Sequence, residues 1–268
     1  MRPRGGRLSA DDVDLARLGD RLRAPFAGPI EWHREVGSTN DLLAQRAREG
    51  APEGAIVCAD HQTAGRGRLG REWQDVPGRA LAMSVLLRPP PHVAAHAGVL
   101  PVLVATAVAQ GIGDDAQVAW PNDVVLGGRK VSGILLEAAW EASALTWVVV
   151  GMGVNVRGAP DVAPGTWPVG ALDERDPDPS REAVAGRILE ALADRYADLC
   201  EAGPRSIVTA FTARDALAGR VVRLREGDEV TEGSAEGITE DGGLRLRTPG
   251  GVVVVASADR LELLAPTG

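Results

Sequence analysis

The sequence predicts an α/β domain followed by a small β-barrel, and three observations carry that reading. Up to about Gly203, short apolar strands alternate with segments whose apolar residues recur at helical spacing. From about Leu217 the texture changes to short alternating strands punctuated by the turns EGD, EDGG and TPGG. At 268 residues the chain has room for one large domain and a small one, with a core that needs no disulfides.

Leu15, Leu18, Leu22 and Phe26, behind Asp11 and Asp12, predict a short opening helix that Pro25 and Pro29 close. Ile30, Trp32 and Val36 fit an alternating strand. Ser38 with Asp41 reads as a helix-start box leading into Leu42, Leu43 and Ala47. AIVCAD is a short buried strand that runs straight into the loop HQTAGRGRLGREW. Further strands are expected at ALAMSVLLR, VVLG, KVSGILLEAAW and LTWVVVG. Between the first two of these, VAAHAGVLPVLVATAVAQGI is helical in pattern, with Pro101 as a kink or early-turn residue. A second long helix fits SREAVAGRILEALADRYADLCEAG, capped by Ser180 and stopped by Gly203-Pro204. Pro160 to Pro179 is a proline- and aspartate-rich surface loop. Four strands, in RVVRLREG, EVTEGSAEGITE, GLRLRTPGG and VVVVASADRLEL, supply the barrel. The expected divisions are an N-terminal extension with a short helix over 1–27, a main domain over 28–214 and the barrel over 215–268.

A hydrophobic fraction of 44% and a charged fraction of 25% describe an ordinary soluble globular protein. A net charge of −8 argues against a broad nucleic-acid footprint, although one basic loop stands out. Cys58 and Cys200 match no metal or redox spacing, so reduced thiols are expected. The first twenty residues carry arginines with no apolar run behind them, unlike a signal peptide, and VVVGMGVNV is too short to span a bilayer. A cytoplasmic protein without a membrane partner is expected.

Lys130 is the only lysine; apart from the four histidines, every other basic side chain is arginine. The two cations differ: arginine is a planar fork, lysine a compact ammonium that can follow a single oxyanion. In GRGRLGREW, Gly65, Gly67 and Gly70 permit close backbone approach or positive φ. Arg66, Arg68 and Arg71 supply forked donors for carboxylate or phosphate, and Trp73 a face for stacking. A mobile surface turn is the plain alternative. No G-x-x-x-x-G-K-[ST] occurs, so a bound nucleotide would use another geometry. Pro121, Asn122 and Asp123 in WPND signal a turn between two strands, where Asn and Asp often only cap their own backbone. With Lys130 and Gly133 on the next strand, a polar pocket is the better reading. Asn155, in the apolar strand GMGVNV, needs a partner or a ligand.

GSTNDLL, GRGRLGREW, WPNDVVL, GRKVSGILLE and GMGVNV stand in the order and spacing of biotin–protein ligases, which the chain resembles over most of residues 32 to 156. The resemblance implies an α/β (α+β) fold, with a mixed sheet and flanking helices followed by an SH3-like β-barrel. It implies formation of biotinyl-5′-AMP from biotin and Mg-ATP, then transfer of biotin to a lysine of a biotin carboxyl carrier protein domain of acyl-CoA carboxylases. On the family's pattern, Ser38, Thr39, Asn40 and Gln62 would meet the biotin ring. Gly65, Arg66, Gly67 and Arg68 would form the loop that closes over the intermediate, and Gly133 and Gly151 would let the backbone lie against biotin. Arg66, Arg68, Arg71, Asn122 and Asn155 would position ATP, with Trp73 near the adenine. Lys130 would sit between the biotin carboxylate and the α-phosphate, and Asp123 would orient or deprotonate the incoming lysine; Lys130, Arg68 and Asp123 are thus the catalytic set. No resident metal is expected, since Mg²⁺ would arrive with ATP. Some members carry an N-terminal helix-turn-helix, and fewer than thirty residues precede the first expected strand here, which argues for an enzyme without nucleic-acid binding. A homodimer stays open. The rival expectations are a lipoate or octanoate ligase on the same fold, and a biotin sensor without turnover.

Overall fold

A computed structural model of the chain describes residues 18–19, 22–163 and 165–264. Seven strands form the larger sheet: β1 (Ile30–His33), β2 (Ile56–Ala59), β3 (Ala80–Leu87), β4 (Ala116–Ala119), β5 (Asp123–Leu126), β6 (Arg129–Glu141) and β7 (Ala144–Asn155). They lie in the order β1-β2-β3-β7-β6-β5-β4. β1 and β2 run parallel and the remaining neighbours antiparallel, so the sheet is mixed. Helix α1 (Thr39–Arg48) packs on one face, against β2, β3 and β7. The other face carries α2 (Pro91–Ala94), α3 (Leu100–Ile112) and α4 (Arg181–Ala202), and α5 (Pro204–Thr212) packs on α3 and α4.

The period of two along each strand sorts the core. Leu81, Met83, Val85 and Leu87 of β3, with Val148, Val150, Met152 and Val154 of β7, face the main core with α3 and α4. On the opposite face, Leu86, Trp147 and Val149 meet Leu43, Ala44 and Ala47 of α1 in a smaller cluster. That α1-facing row then continues in very small residues. Ser84 pairs with Gly151, Ala82 with Gly153, and Gly153 in turn with Gly133. Residues directly opposite across a strand pair share a face, so three strands together present a floor almost bare of side chains.

Five antiparallel strands form the second sheet: β8 (Val221–Glu226), β9 (Glu229–Ile238), β10 (Leu244–Thr248), β11 (Gly251–Val255) and β12 (Arg260–Leu263), in the order β11-β10-β9-β8-β12. The β9–β10 turn rests on the first domain, where the buried Trp120 donates its Nε1–H to Gly242 O at 2.8 Å. β11 and β12 stand at opposite edges, and the described ladders do not close into a barrel.

Several expectations need correction. Leu15 lies outside the described residues; Leu18 is helical and buried, but by Leu22 the chain has left the helix. The strand at Ile30 ends at His33, and Val36 makes only an isolated bridge to Gln62. The helix expected from Val93 to Ile112 is broken. Gly98 sits so close to the β9–β10 turn that a Cβ there would lie 2.5 Å from Asp241 O; Pro101 takes the early-turn place expected of it, in the first turn of α3. Gly203, at φ 75°, ends α4 as expected, yet Pro204 starts α5, because a proline suits the first turn of a helix as well as a stop. VVVVASADRLEL is two strands, so the small domain has five rather than four. The outer edge of β4 is occupied by the chain itself, since Val118 N donates to Arg214 O and Ala216 N donates back to Val118 O.

Candidate functional site

Over the small-residue floor lies a cleft of about 1100 Å³, including the solvent at its mouth. One end is built by the N-terminus of α1. Ser38 is the cap, its Oγ accepting from Asp41 N at 3.5 Å. Ser38, Thr39 and Asn40 are all buried polar residues, so each needs partners. Thr39 donates both its N–H and its Oγ1–H to Gln62 Oε1, at 2.9 and 3.1 Å. Ser84, at the middle of β3, donates to Asn40 Oδ1 at 2.6 Å and lies 2.8 Å from Thr39 Oγ1. Asn40 donates to Glu137 at 2.7 Å and packs on Gly151, where a Cβ would stand 2.3 Å from Asn40 Oδ1.

The glycine–arginine segment forms a folded flap over this end. Gly67 N donates to Arg71 O at 2.7 Å and Trp73 N to Gly65 O at 3.0 Å, so its two arms are hydrogen-bonded. Gly65 is glycine because the arms touch; a Cβ there would lie 2.6 Å from Trp73 O. Leu69 at the tip takes φ 59° and is 60% exposed, a left-handed conformation that costs a branched residue energy. Arg66 forks onto Asp41, with two contacts of 2.6 Å, and onto Glu137 at 2.9 and 3.1 Å. These bonds hold the Asp41 carboxyl below its usual range and raise the Arg66 pKa. Arg68 reaches inward to Asn122 Oδ1 at 3.4 Å, and burial lowers its pKa from the ordinary arginine value. Arg71 instead donates to Asp259 O, 2.7 Å away on the second domain. Trp73 lies flat against the floor, within 2.3 Å of where a Gly153 Cβ would be, its buried Nε1–H without a partner.

The far end comes from the WPND turn between β4 and β5. Asn122 Nδ2 donates to Ile134 O at 2.8 Å, which locks the turn onto β6. Asp123 and Lys130 form an ion pair, Oδ1 to Nζ, of 2.7 Å. Lys130 reaches the cleft through a bulge. Val124 pairs with Ser132 and Val125 with Lys130, leaving Val131 as an extra residue on β6. Strict alternation would put Lys130 and Gly133 on opposite faces; the bulge turns both toward the cleft, with a Gly133 Cβ position 3.5 Å from Lys130 Nζ. The loop after β7 braces this end: Lys130 N donates to Pro168 O at 2.7 Å, and Asn155 Nδ2 to Gly170 O at 3.0 Å.

Most expected site residues therefore line one cleft: Ser38, Thr39, Asn40, Gln62, Arg66, Gly67, Arg68, Arg71, Trp73, Asn122, Asp123, Lys130, Gly133 and Gly151. Gly65 and Asn155 do not line it. Gly65 packs within the flap, and Asn155 is buried behind the wall with Oδ1 unpartnered. The surface loop expected over 160–179 is partly a wall, since Thr166 and Trp167 line the cleft, and Thr166 is bonded to Leu261 O. Sequence reasoning also missed Glu137, Ser84, Gly153 and Asp259. Ser84 and Glu137 are polar residues in otherwise apolar strands, a signal that was available. Asp259 gave none, because only the packing of the second domain brings it near.

The chain is similar to known proteins in both sequence and fold. A sequence profile described as the biotin/lipoate A/B protein ligase family matches residues 32–155, and one described as the biotin protein ligase C terminal domain matches residues 218–259. The bifunctional ligase/repressor BirA of Bacillus subtilis is 33% identical over 265 residues, covering 95% of this chain and 79% of that protein. The biotin–[acetyl-CoA-carboxylase] ligase of Mycobacterium tuberculosis is 34% identical, with 94% and 96% covered, and that of Paracoccus denitrificans 37% identical, with 83% and 95% covered. Among solved structures, the biotin protein ligase of Aquifex aeolicus in complex with biotin and ATP superposes with a TM-score of 0.72 at 25% identity, covering 88% of this chain and 99% of that one.

Proposed function

The chain belongs to the biotin/lipoate A/B protein ligase family, and from that premise we infer that it is a biotin–protein ligase. It activates biotin with ATP to biotinyl-5′-AMP, releasing pyrophosphate, and passes the biotinyl group to a lysine of an acceptor protein. The proposed acceptor is the biotin carboxyl carrier domain of an acyl-CoA carboxylase, met in the cytoplasm. Mg²⁺ is treated as part of the ATP substrate.

One observation carries the assignment of roles: a buried polar cluster at one end of the cleft and a cationic pair at the other, joined by a floor without side chains. Ser38, Thr39 and Gln62 suit the donors and acceptors of the biotin ureido ring, and buried groups of this kind reject an acid that cannot pair with them. The floor at Gly133 and Gly151 leaves room for the ring and chain of biotin, while Gly153 takes the Trp73 indole. At the other end, the carboxylate oxygen attacks the α-phosphorus and the bond to pyrophosphate breaks. Negative charge grows on the phosphoryl oxygens, and Lys130 and Arg68, which line this end of the cleft, are assigned to meet it. Arg71, Asn122 and Trp73 are assigned to the nucleotide. Asn155 is assigned an indirect part, bracing Gly170 behind Lys130.

The flap of Gly65 to Trp73 shields the mixed anhydride, which water would otherwise hydrolyse. In the second step the acceptor amine must be neutral to attack the carbonyl; Asp123 is assigned to take its proton, and AMP leaves. Asp123 begins this sequence paired to Lys130, so release of that pair accompanies the step.

The test is exchange of labelled pyrophosphate into ATP with biotin, lipoate or no acid. Exchange dependent on biotin is expected. Exchange with lipoate alone would keep the fold and overturn the substrate, and biotin binding with no exchange would make the protein a sensor.

A further inference from the structure

Glu137 lies outside the cleft wall, yet it joins two things the reaction uses. Its carboxylate accepts from Arg66 at 2.9 and 3.1 Å and from Asn40 Nδ2 at 2.7 Å. Asn40 Oδ1 in turn accepts from Ser84 at 2.6 Å, Ser84 lies 2.8 Å from Thr39 Oγ1, and Thr39 donates to Gln62. A continuous polar chain therefore runs from the flap, through β6, to the polar end of the cleft. Asp41 completes the grip by accepting from both Nη1 and Nη2 of Arg66 at 2.6 Å, sharing Nη2 with Glu137. Two carboxylates on one guanidinium more than neutralise it, which leaves Arg66 poorly suited to bind a third anion.

We propose that Glu137 is a positioning residue for the ligase reaction: with Asp41 it clasps Arg66, holding the flap folded before substrate arrives and linking its closure to the residues assigned to the biotin ring. Arg66 is then a latch, and the anion-binding work of the segment falls to Arg68 and Arg71. This rests on the ligase reading. Both carboxylates are partly exposed, at 61% for Asp41 and 37% for Glu137, so the clasp is a modest device that shifts an equilibrium.

Three properties are read on the full-length chain and its Glu137→Gln and Asp41→Asn variants: tryptic cleavage at Arg68, loss of biotinyl-5′-AMP to solvent during turnover, and KM against kcat for biotin in pyrophosphate exchange. Glutamine keeps the size of the side chain, but removes the charge that holds Arg66 and weakens the bond from Asn40 to a neutral one. Each variant is expected to be cut about fivefold faster and to leak intermediate to a similar extent, the order of a partly exposed ion pair. Glu137→Gln is also expected to raise KM for biotin while kcat stays near wild type, whereas Asp41→Asn, which leaves Asn40 untouched, is expected to spare KM. Unchanged cleavage and leakage in both variants would overturn the clasp. If Glu137→Gln unfolds, Asp41→Asn decides by the same two readings. Proteolysis needs no substrate, so absence of biotin-dependent exchange in the wild type would refute the ligase reading while the clasp is still judged.

Discussion

The two floor glycines should separate the two substrates. Gly151 and Gly153 lie two apart on β7 and share a face, but each supports a different neighbour. A methyl on Gly153 would stand 2.3 Å from Trp73 Cε2, 2.5 Å from Cζ2 and 2.8 Å from Nε1. Ordinary contacts between carbon atoms are roughly 3.5 to 4.0 Å, so the indole must retreat by about 1 Å. Misplacement on that scale can cost about a hundredfold where a reacting group is held, and less where only binding is at stake. Gly153→Ala is therefore expected to raise KM for ATP by about tenfold, near 1.4 kcal/mol, with KM for biotin little changed. A methyl on Gly151 would instead stand 2.3 Å from Asn40 Oδ1, and moving Asn40 strains its bonds to Ser84 and Glu137. Gly151→Ala is expected to raise KM for biotin by a similar tenfold or so and to spare ATP. The assay is pyrophosphate exchange with each substrate varied in turn, beside a thermal melt to show that each variant is folded. Equal effects of both variants on both substrates would refute the division of the floor, and an unaltered KM for ATP in Gly153→Ala would remove Trp73 from the nucleotide.

Lys130→Arg is expected to keep the ion pair with Asp123 and still lose roughly a hundredfold or more in adenylation rate, because the fork cannot follow a single oxygen; near-normal pyrophosphate exchange would rule out the role given to Lys130. Lys130 is the only lysine and is paired at 2.7 Å with Asp123, so the enzyme offers its own intermediate almost no nucleophile beyond its terminal amine. A variant with a weakened flap, such as Asp41→Asn, should label added bystander proteins while its own peptides stay nearly unmodified by mass spectrometry. The clasp has a pH sign. Asp41 has a folded pKa below that of the free side chain, so its contribution is fully present above the ordinary carboxylate range and is lost as pH falls through the lowered value. Protection of the flap, followed by hydrogen exchange at Gly67 and Trp73, should therefore be flat above about pH 5 and decline only in stronger acid. Decline already near neutral pH would show that another group governs the flap.

The chain by itself determined much of the vocabulary of this protein: most of its longer strands and helices, and most of the side chains that gather at the cleft. Ser38 with Asp41 marked the start of α1, and the structure has Ser38 as its cap. The glycines and arginines of residues 65 to 73, the WPND turn and the lone Lys130 were legible because local chemistry dictates them: a close approach needs glycine, a turn needs Asn or Asp, and an anion needs a cation. What the sequence could not decide was which of these residues meet. Alternation would have sent Lys130 away from Gly133, and only the unpaired Val131 on β6, a matter of register between two strands, turns the ammonium into the cleft. Asn155 read as needing a partner or a ligand, and β7 carries it behind the wall, where Gly170 O is its partner. Arg71 read as a free anion donor, yet packing of the second sheet sets Asp259 O within 2.7 Å of it. Glu137 stood out only as a polar residue on an apolar strand; its partners Asn40 and Arg66 lie 97 and 71 residues away in the chain, so the sequence did not show what it meets. Local preference fixes a residue's conformation within a few neighbours; register and domain packing fix its partners, and those depend on the whole chain folding at once.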